Sequence, residues 1–347
     1  MKKLIFKKGM VYKMLMSKVD KLKKFIFFPK IFLLFIVLNH GCDEEKGGPN
    51  GFLPRFTIHC WCPAWSPDGK TIAFGYVPWI RVDRDSFIEK WDSSGIFFID
   101  ADGKNKRPFL LAGINPPLCT PEFSPDGKWL TFIGSGPGGT HTLFKAKING
   151  DSIIPLTFSD KYENFVPKWA PDGKKILFWR YNVMEPQDSS GLCLINADGS
   201  KIKMIYKAKS LGEWGGSDFL PDYRIVFKCY INNKNAIWIT DTTGLNIQMI
   251  SDFQGTVANC SPCGKKVLLT TYNSSTMRFE IWVMNIDGTN VKRLCIDGVA
   301  PAWSPDGTKI VYVKYNYYLP ATKYPGYGEL WIMDADGSNE RQLTYPD

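Results

Sequence analysis

The chain has 347 residues, 44% hydrophobic and 14% aromatic, with 43 Lys+Arg against 34 Asp+Glu for a formal charge of +9. Ten lysines (2, 3, 7, 8, 13, 18, 21, 23, 24 and 30) but a single acid, Asp20, fall in residues 1–41, leaving 33 bases and 33 acids from Cys42 onward. The body is neutral, which removes the electrostatic ground for a nucleic-acid partner, and its apolar content excludes a disordered chain.

In chain order, the lysine-rich start leads through Phe25-Ile26-Phe27-Phe28 and Pro29-Lys30 into the apolar run Ile31 to Leu38. That run is too short for a membrane span, which needs about 20 residues, but it suits the apolar stretch of a signal peptide. Met16 is a plausible start, since Met16 to Gly41 alone has a signal peptide's proportions. Leu38-Asn39-His40-Gly41-Cys42, followed by a polar tract, resembles a bacterial lipoprotein signal, although Asn39 and His40 stand where that family has small or aliphatic residues. The resemblance implies a signal peptide over 1–41, lipidation of Cys42, a tether over 42–51 and a membrane held through the lipid. The alternatives are a secretory signal cut elsewhere and an uncleaved anchor.

From residue 52 one unit recurs six times. Ser66-Pro67-Asp68-Gly69 returns at Ser124, Ala170, Leu220, Ser261 and Ser304, with Tyr223 in place of glycine in the fourth copy and Cys263 in place of aspartate in the fifth. Pro fixes φ and Asp-Gly supplies a left-handed residue, so each tetrapeptide is a tight turn between strands. A bulky residue precedes each turn (Trp65, Phe123, Trp169, Phe219, Trp303), with Cys260 in the fifth copy, and a period-2 apolar run follows. A second signature, Ile96 to Gly103 with echoes at Leu192, Ile281 and Leu330, reads as a strand entering another hairpin with a short fourth strand beyond. Four strands per unit and six units predict an all-β, six-bladed propeller over 52–347, with the bulky residues wedged between blades. Leu53 to Ile58 aligns with Val291 to Ile296 as a fourth-strand equivalent, so either it or Arg341 to Thr344 is expected outermost in a shared closing blade.

The Trp-Ser-Pro-Asp-Gly-Lys turn and its Ile-Trp-x-Met-Asp-x-Asp-Gly partner are similar to the WD40-like repeat of TolB-like propellers, over nearly all of 52–347. That family includes envelope scaffolds, propeller lids of serine peptidases and some sugar-active enzymes. The small α/β domain that precedes the propeller in TolB has no counterpart between Cys42 and the first expected strand.

In such a blade the first-to-second and third-to-fourth turns share one face of the ring, here short and repetitive. The second-to-third connections, expected over 77–94, 134–139, 181–190 and 315–328, are individual and rich in Tyr, Trp and Arg, the residues that anchor interfaces. Trp79, Arg81, Trp91, Tyr181, Tyr315, Tyr317, Tyr318 and Tyr324 are therefore the candidate partner-binding residues, the alternative being that these aromatics pack on one another to order the loops. Other motifs carry less. Asp100-Ala101-Asp102-Gly103 lacks the further ligands of a calcium loop, and Gly134 to Gly139 lacks the lysine of a phosphate loop. The loop carboxylates Asp83, Asp85, Glu89, Glu185, Asp188, Glu213 and Glu329 read as solvated charges. Of the cysteines beyond Cys42 (60, 62, 119, 193, 229, 260, 263 and 295), most read as small buried hydrophobes, with Cys263 the most reactive in appearance. The expectation is a non-enzymatic, envelope-anchored scaffold that binds envelope proteins, uses no cofactor or metal, and has no nucleic-acid partner. The alternatives are a saccharide-binding or sugar-active propeller that takes a glycan, and an accessory subunit of a separate hydrolase.

Overall fold

Each Pro-Asp-Gly turn closes by a bond from the N–H of its third or fourth residue to the carbonyl three positions back, 2.9 Å for Gly69 to Ser66 and 2.8 Å for Gly127 to Ser124. The strands on either side must then pair antiparallel. The computed structural model describes residues 56–81, 87–89, 95–109, 119–136, 140–184, 190–208, 214–232, 234–315 and 328–344. Among them there are strands and turns and no helix.

The strands form six consecutive antiparallel blades, each numbered here in chain order and each running from an innermost to an outermost strand. Blade 1 is Phe56–Trp65, Thr71–Arg81, Gly95–Asp100 and Arg107–Phe109. Blade 2 is Cys119–Phe123, Trp129–Ser135, His141–Lys147 and Ile153–Pro155. Blade 3 is Tyr162–Trp169, Lys175–Asn182, Gly191–Asn196 and Lys203–Lys207. Blade 4 is Trp214–Phe219, Ile225–Ile231, Lys234–Thr240 and Gln248–Ser251. Blade 5 is Thr256–Cys260, Lys266–Asn273, Arg278–Asn285 and Lys292–Ile296. Blade 6 is Gly298–Trp303, Lys309–Tyr315, Gly328–Asp334 and Arg341–Gln342.

Ring closure corrects one expectation. Phe56 to Ile58 are not a fourth strand: they start the innermost strand of blade 1, where Phe56 pairs with Ile80 and Ile58 with Pro78. Arg341–Gln342 is the outer strand of blade 6, so every blade draws its four strands from one stretch of chain. The seam between blades 6 and 1 is held by side chains instead. Arg341 donates to the carbonyls of Ala101 (3.0 Å) and Asp102 (3.3 Å), and Trp65 Nε1 donates to the Ala302 carbonyl at 3.2 Å. A single parallel bridge, His59 to Gly328, joins the two sheets.

Five of the six wedge residues are buried: Phe123, Trp169, Phe219, Cys260 and Trp303 are each at most 8% exposed, and Phe98 of blade 1 stacks on Phe123 of blade 2 with ring centroids 5.8 Å apart. Trp65, at the seam, is only half-buried. At the fifth position Cys260 lies in an aliphatic cluster with Val257, Val267 and Leu269, against which Phe253 and Trp282 pack. Outside the wedges, the second turn of each unit presses on the preceding blade: a Cβ at Gly288 (φ +84°) would stand 2.1 Å from the Ile250 carbonyl oxygen. Only glycine satisfies both the dihedral and the contact.

The innermost strands carry a further sequence signal. Each is bulged by one residue, between Trp61 and Ala64, Cys119 and Glu122, Phe165 and Lys168, Gly215 and Ser217, Val257 and Asn259, and Val299 and Ala302. Cys62, Thr120, Val166, Gly216 and Ala300 take positive φ there, and four of them precede a proline. Proline cannot donate to a ladder and is confined within sheets to edges and bulges, so Pro63, Pro121, Pro167 and Pro301 mark the bulges.

Candidate partner-binding face and channel throat

The two faces of the ring are built differently. On the turn face, Ser66 Oγ donates to Asp68 Oδ1 at 2.6 Å and accepts the Thr71 N–H at 2.9 Å, while the Lys70 N–H reaches the same carboxylate oxygen at 3.1 Å. Ser124–Asp126 and Ser304–Asp306 repeat the arrangement. These donors, the serine hydroxyl foremost, hold the carboxyl pKa values of Asp68, Asp126 and Asp306 below the ordinary range. In the fifth turn Cys263 takes the aspartate's place, its Sγ 3.4 Å from Ser261 Oγ. The Ser261 hydroxyl, then the Lys265 N–H, lower the thiol pKa, and Cys263 is exposed. In the fourth turn Tyr223 adopts φ +69°, a conformation that its sister turns give to glycine, and is 43% exposed.

On the loop face the blades stop resembling one another. The second-to-third connection is residues 232–233 in blade 4 and 274–277 in blade 5, but 316–327 in blade 6. The stretch 77–94, expected as a loop, is partly strand. Trp79 and Arg81 continue the second strand of blade 1, and Trp79, Ile80 and Arg81 pair back to Glu89, Ile88 and Phe87. Trp91, Tyr317, Tyr318, Tyr324 and Cys42 lie outside the described residues.

Tyr181 and Tyr315, the candidates whose side chains are described, are 4% and 8% exposed. Tyr315 packs on Phe279 with ring centroids 5.9 Å apart, and its N–H donates to the Asp297 carbonyl at 2.7 Å. It orders the junction of blades 5 and 6. Tyr181 is the cross-strand partner of Glu163, whose Oε2 is 3.7 Å from Nδ1 of His141 in blade 2. Burial pushes Glu163 up to about 6 and His141 down to about 4. Burial also raises the Tyr181 pKa, with the Glu163 charge adding to it. Among the described residues, the most exposed large apolar side chains on this face are Phe158 (78%) and Met184 (66%), in the two connections that flank Glu163 and Tyr181, and Met277 (56%) on blade 5. Glu329, expected as a solvated loop charge, is instead half-buried in the third strand of blade 6, where it accepts from Gln342 Nε2 at 2.6 Å. Cys193, Cys229, Cys260 and Cys295 are buried, as small apolar residues of the blades.

A belt of side chains that the sequence reading missed lines the throat of the channel. The residue before each wedge is Ala64, Glu122, Lys168, Asp218, Asn259 or Ala302, and the bulge just upstream places it against the next blade. Lys168 Nζ meets Glu122 Oε2 at 3.0 Å, tying blade 3 to blade 2. Asp218 accepts from Phe219 N–H (2.9 Å), Asn259 Nδ2 (2.9 Å) and Cys260 N–H (2.7 Å), tying blade 4 to blade 5. Asn259 Oδ1 in turn accepts the Trp303 N–H at 2.8 Å, tying blade 5 to blade 6. Burial raises the pKa of Glu122 and of Asp218, outweighing the attraction of Lys168. Burial works against the Lys168 ammonium too, but Glu122 and Asp218 together hold its pKa above the ordinary range. The Glu122 side chain keeps 23% of its exposure and Lys168 11%, toward the channel. The signal for this belt was present in the repeat, as a column of Ala, Glu, Lys, Asp, Asn and Ala directly before the wedge position. Among the described residues, no three His, Cys, Asp or Glu side chains converge as metal ligands.

No family model matches the sequence. An uncharacterized protein of Agrobacterium fabrum is 24% identical over 271 residues, covering 73% of this chain and 84% of that protein. The Tol-Pal system protein TolB of Francisella tularensis is 25% identical over 255 residues, covering 72% of this chain and 55% of TolB. The crystal structure of TolB from Acinetobacter baumannii superposes with a TM-score of 0.58 at 15% identity, over 82% of this chain and 79% of that one. With six consecutive four-stranded blades, the fold is a six-bladed β-propeller. The chain is similar in sequence to TolB. The chain spans about half the length of the curated TolB sequences it matches, and the solved TolB structure supports its fold alone.

Proposed function

We propose that this TolB-like propeller is an exported, lipid-anchored, non-enzymatic scaffold that docks a protein of the cell envelope on its loop face. One observation carries the reading. The turn face repeats one backbone-closed turn around the ring, whereas the loop face differs from blade to blade and leaves Phe158 and Met184 in solvent. A rigid ring that varies on one face alone is a scaffold presenting individual contacts. The turn face also exposes apolar side chains, Leu245 (84%) most of all, with Ile148, Ile202 and Val291, one to a blade, as scattered apolar residues are on any protein surface. The naming of TolB for the Tol-Pal system supports a protein partner, and the segment ending at Cys42 supports export and anchoring.

The test is crosslinked affinity purification of the full-length protein from its native envelope, beside a Phe158→Ser, Met184→Ser double variant. The expected result is a protein captured by wild type and lost by the variant. Equal capture by both, or by neither, would sink the reading. Incorporation of a labelled lipid precursor by wild type, absent in Cys42→Ser, tests the anchor separately.

A further inference from the structure

At the rim between blades 2 and 3, the loop face holds two polar groups that the protein itself does not satisfy. Glu163 and Tyr181 are paired residues on neighbouring strands, so their side chains stand on the same side of blade 3. The Glu163 carboxylate keeps 22% of its exposure, and its closest partner is His141 Nδ1 at 3.7 Å, beyond hydrogen-bond reach. With its pKa down at about 4, His141 is neutral at pH 7 and brings no charge to offset the carboxylate. The imidazole is held against Phe165, ring centroids 5.3 Å apart at 75°.

The Tyr181 ring is buried, and its hydroxyl makes no hydrogen bond among the described residues, although it lies close enough for the Glu163 charge to raise its pKa. Arg180, the neighbouring guanidinium, is cross-strand partner to Asn164 and so belongs to the opposite side. It is engaged there, over the Tyr162 ring at 4.7 Å and with Nε 3.4 Å from Asn164 Oδ1. A part-desolvated carboxylate with no donor from the described residues, beside a phenol with none, is left to water alone and is better matched by a ligand that brings both charge and donors. Phe158 and Met184, in the connections on either side, would shield such a donor from water.

We propose that Glu163 and Tyr181, backed by neutral His141, form a recognition site for a lysine or arginine side chain of a protein docked on the loop face. The cation supplies both the charge and the donors: its N–H groups donate to the Glu163 carboxylate and to the Tyr181 hydroxyl oxygen, while its alkyl stem lies along Phe158 and Met184. The site rests on the reading of the loop face as a docking surface and names the chemistry that the face selects.

Nuclear magnetic resonance tests it directly, because the sequence holds only three histidines, His40, His59 and His141, and the His141 Hε1 signal is assigned with a single His141→Phe variant. The probe is Nα-acetyl-lysine amide, with its Nε-acetylated counterpart as the neutral control. The expected result is a saturable shift of His141 with the charged probe and none with the neutral one, His59 staying still. Glu163→Gln should weaken the charged probe about tenfold, as losing a charge-assisted hydrogen bond does, and Tyr181→Phe several-fold. Both substitutions preserve shape, and an unchanged thermal transition checks that they fold. Equal shifts from both probes, no shift from either, or full binding by Glu163→Gln would each overturn the site. Envelope capture separates this proposal from the broader one: a Glu163→Gln protein that captures the same partner as wild type overturns the amine site and leaves the docking face standing. If wild type captures nothing, the docking face fails.

Discussion

The turn face and the loop face come from the same strands, yet they solve opposite problems. On the turn face each unit satisfies its own donors: Ser66 Oγ and the Lys70 N–H both point at Asp68, and no partner is needed. On the loop face Glu163 and Tyr181 are brought together by the register of blade 3 and left without donors. Between the two, the throat closes its own account with Lys168, Glu122, Asp218 and Asn259. The difference teaches that a repeated turn is satisfied within its own unit, whereas positions that vary from blade to blade depend on what the neighbouring blade or the solvent offers.

The strongest way to break that contrast is to empty the throat. Lys168→Met leaves Glu122 and Asp218 buried without their ammonium, and should cost about 3–5 kcal/mol of stability, read as a large fall in the denaturant midpoint; a fall below 1 kcal/mol would show the belt to be ornamental. Next, Gly288→Ala forces a Cβ against the Ile250 carbonyl at a positive φ, and is expected to destabilise by about 2 kcal/mol or more. An unchanged melting temperature would mean that the second turn does not bear on the preceding blade. The fourth turn offers the reverse effect: Tyr223→Gly relieves a left-handed tyrosine and should stabilise by about 1 kcal/mol.

A pH series sharpens the loop-face side. Unfolded, His141 takes up a proton near pH 6.5, but folded it resists until about pH 4, so stability falls as pH drops through that window. Glu163 works the other way, since its folded pKa of about 6 exceeds the ordinary 4.5 and acidification from 6 to 4.5 favours the fold. The two together should cost about 1 kcal/mol on acidification. His141→Phe removes the unfavourable part, so thermal scans from pH 7 to 4 should show the variant gaining on wild type. A constant difference would place His141 in water. The smallest effect is expected from Glu163→Gln, which should raise stability at pH 7 by about 0.5 kcal/mol; a loss instead would mean that the carboxylate has a donor within the fold.

The legibility of these features follows from their range. The turn sequences were readable because Pro, Asp and Gly act on backbone dihedrals within four residues, and the wedges because Trp65, Trp169 and Trp303 recur at one place in the unit. The bulges were marked by Pro63, Pro121, Pro167 and Pro301. The throat was written as a column before the wedges, but its chemistry needed neighbours about one repeat apart, such as Glu122 and Lys168. Tyr181 and Tyr315 read as interface anchors by composition, and burial gave them other work: Tyr315 orders a junction, and Tyr181 offers a hydroxyl alone. Glu163 and His141 carried no signal, because one side chain comes from the first strand of blade 3 and the other from the third strand of blade 2.

By itself, then, the sequence determined the number of blades, their strand order and the chemistry of the turns, since these depend on contacts local to one unit and repeated six times. Only the tertiary structure decided which strand closed the ring, which charges met in the throat and which polar groups on the loop face were left wanting a donor. Those outcomes depend on desolvation and on packing between blades, and neither exists until the blades stand side by side.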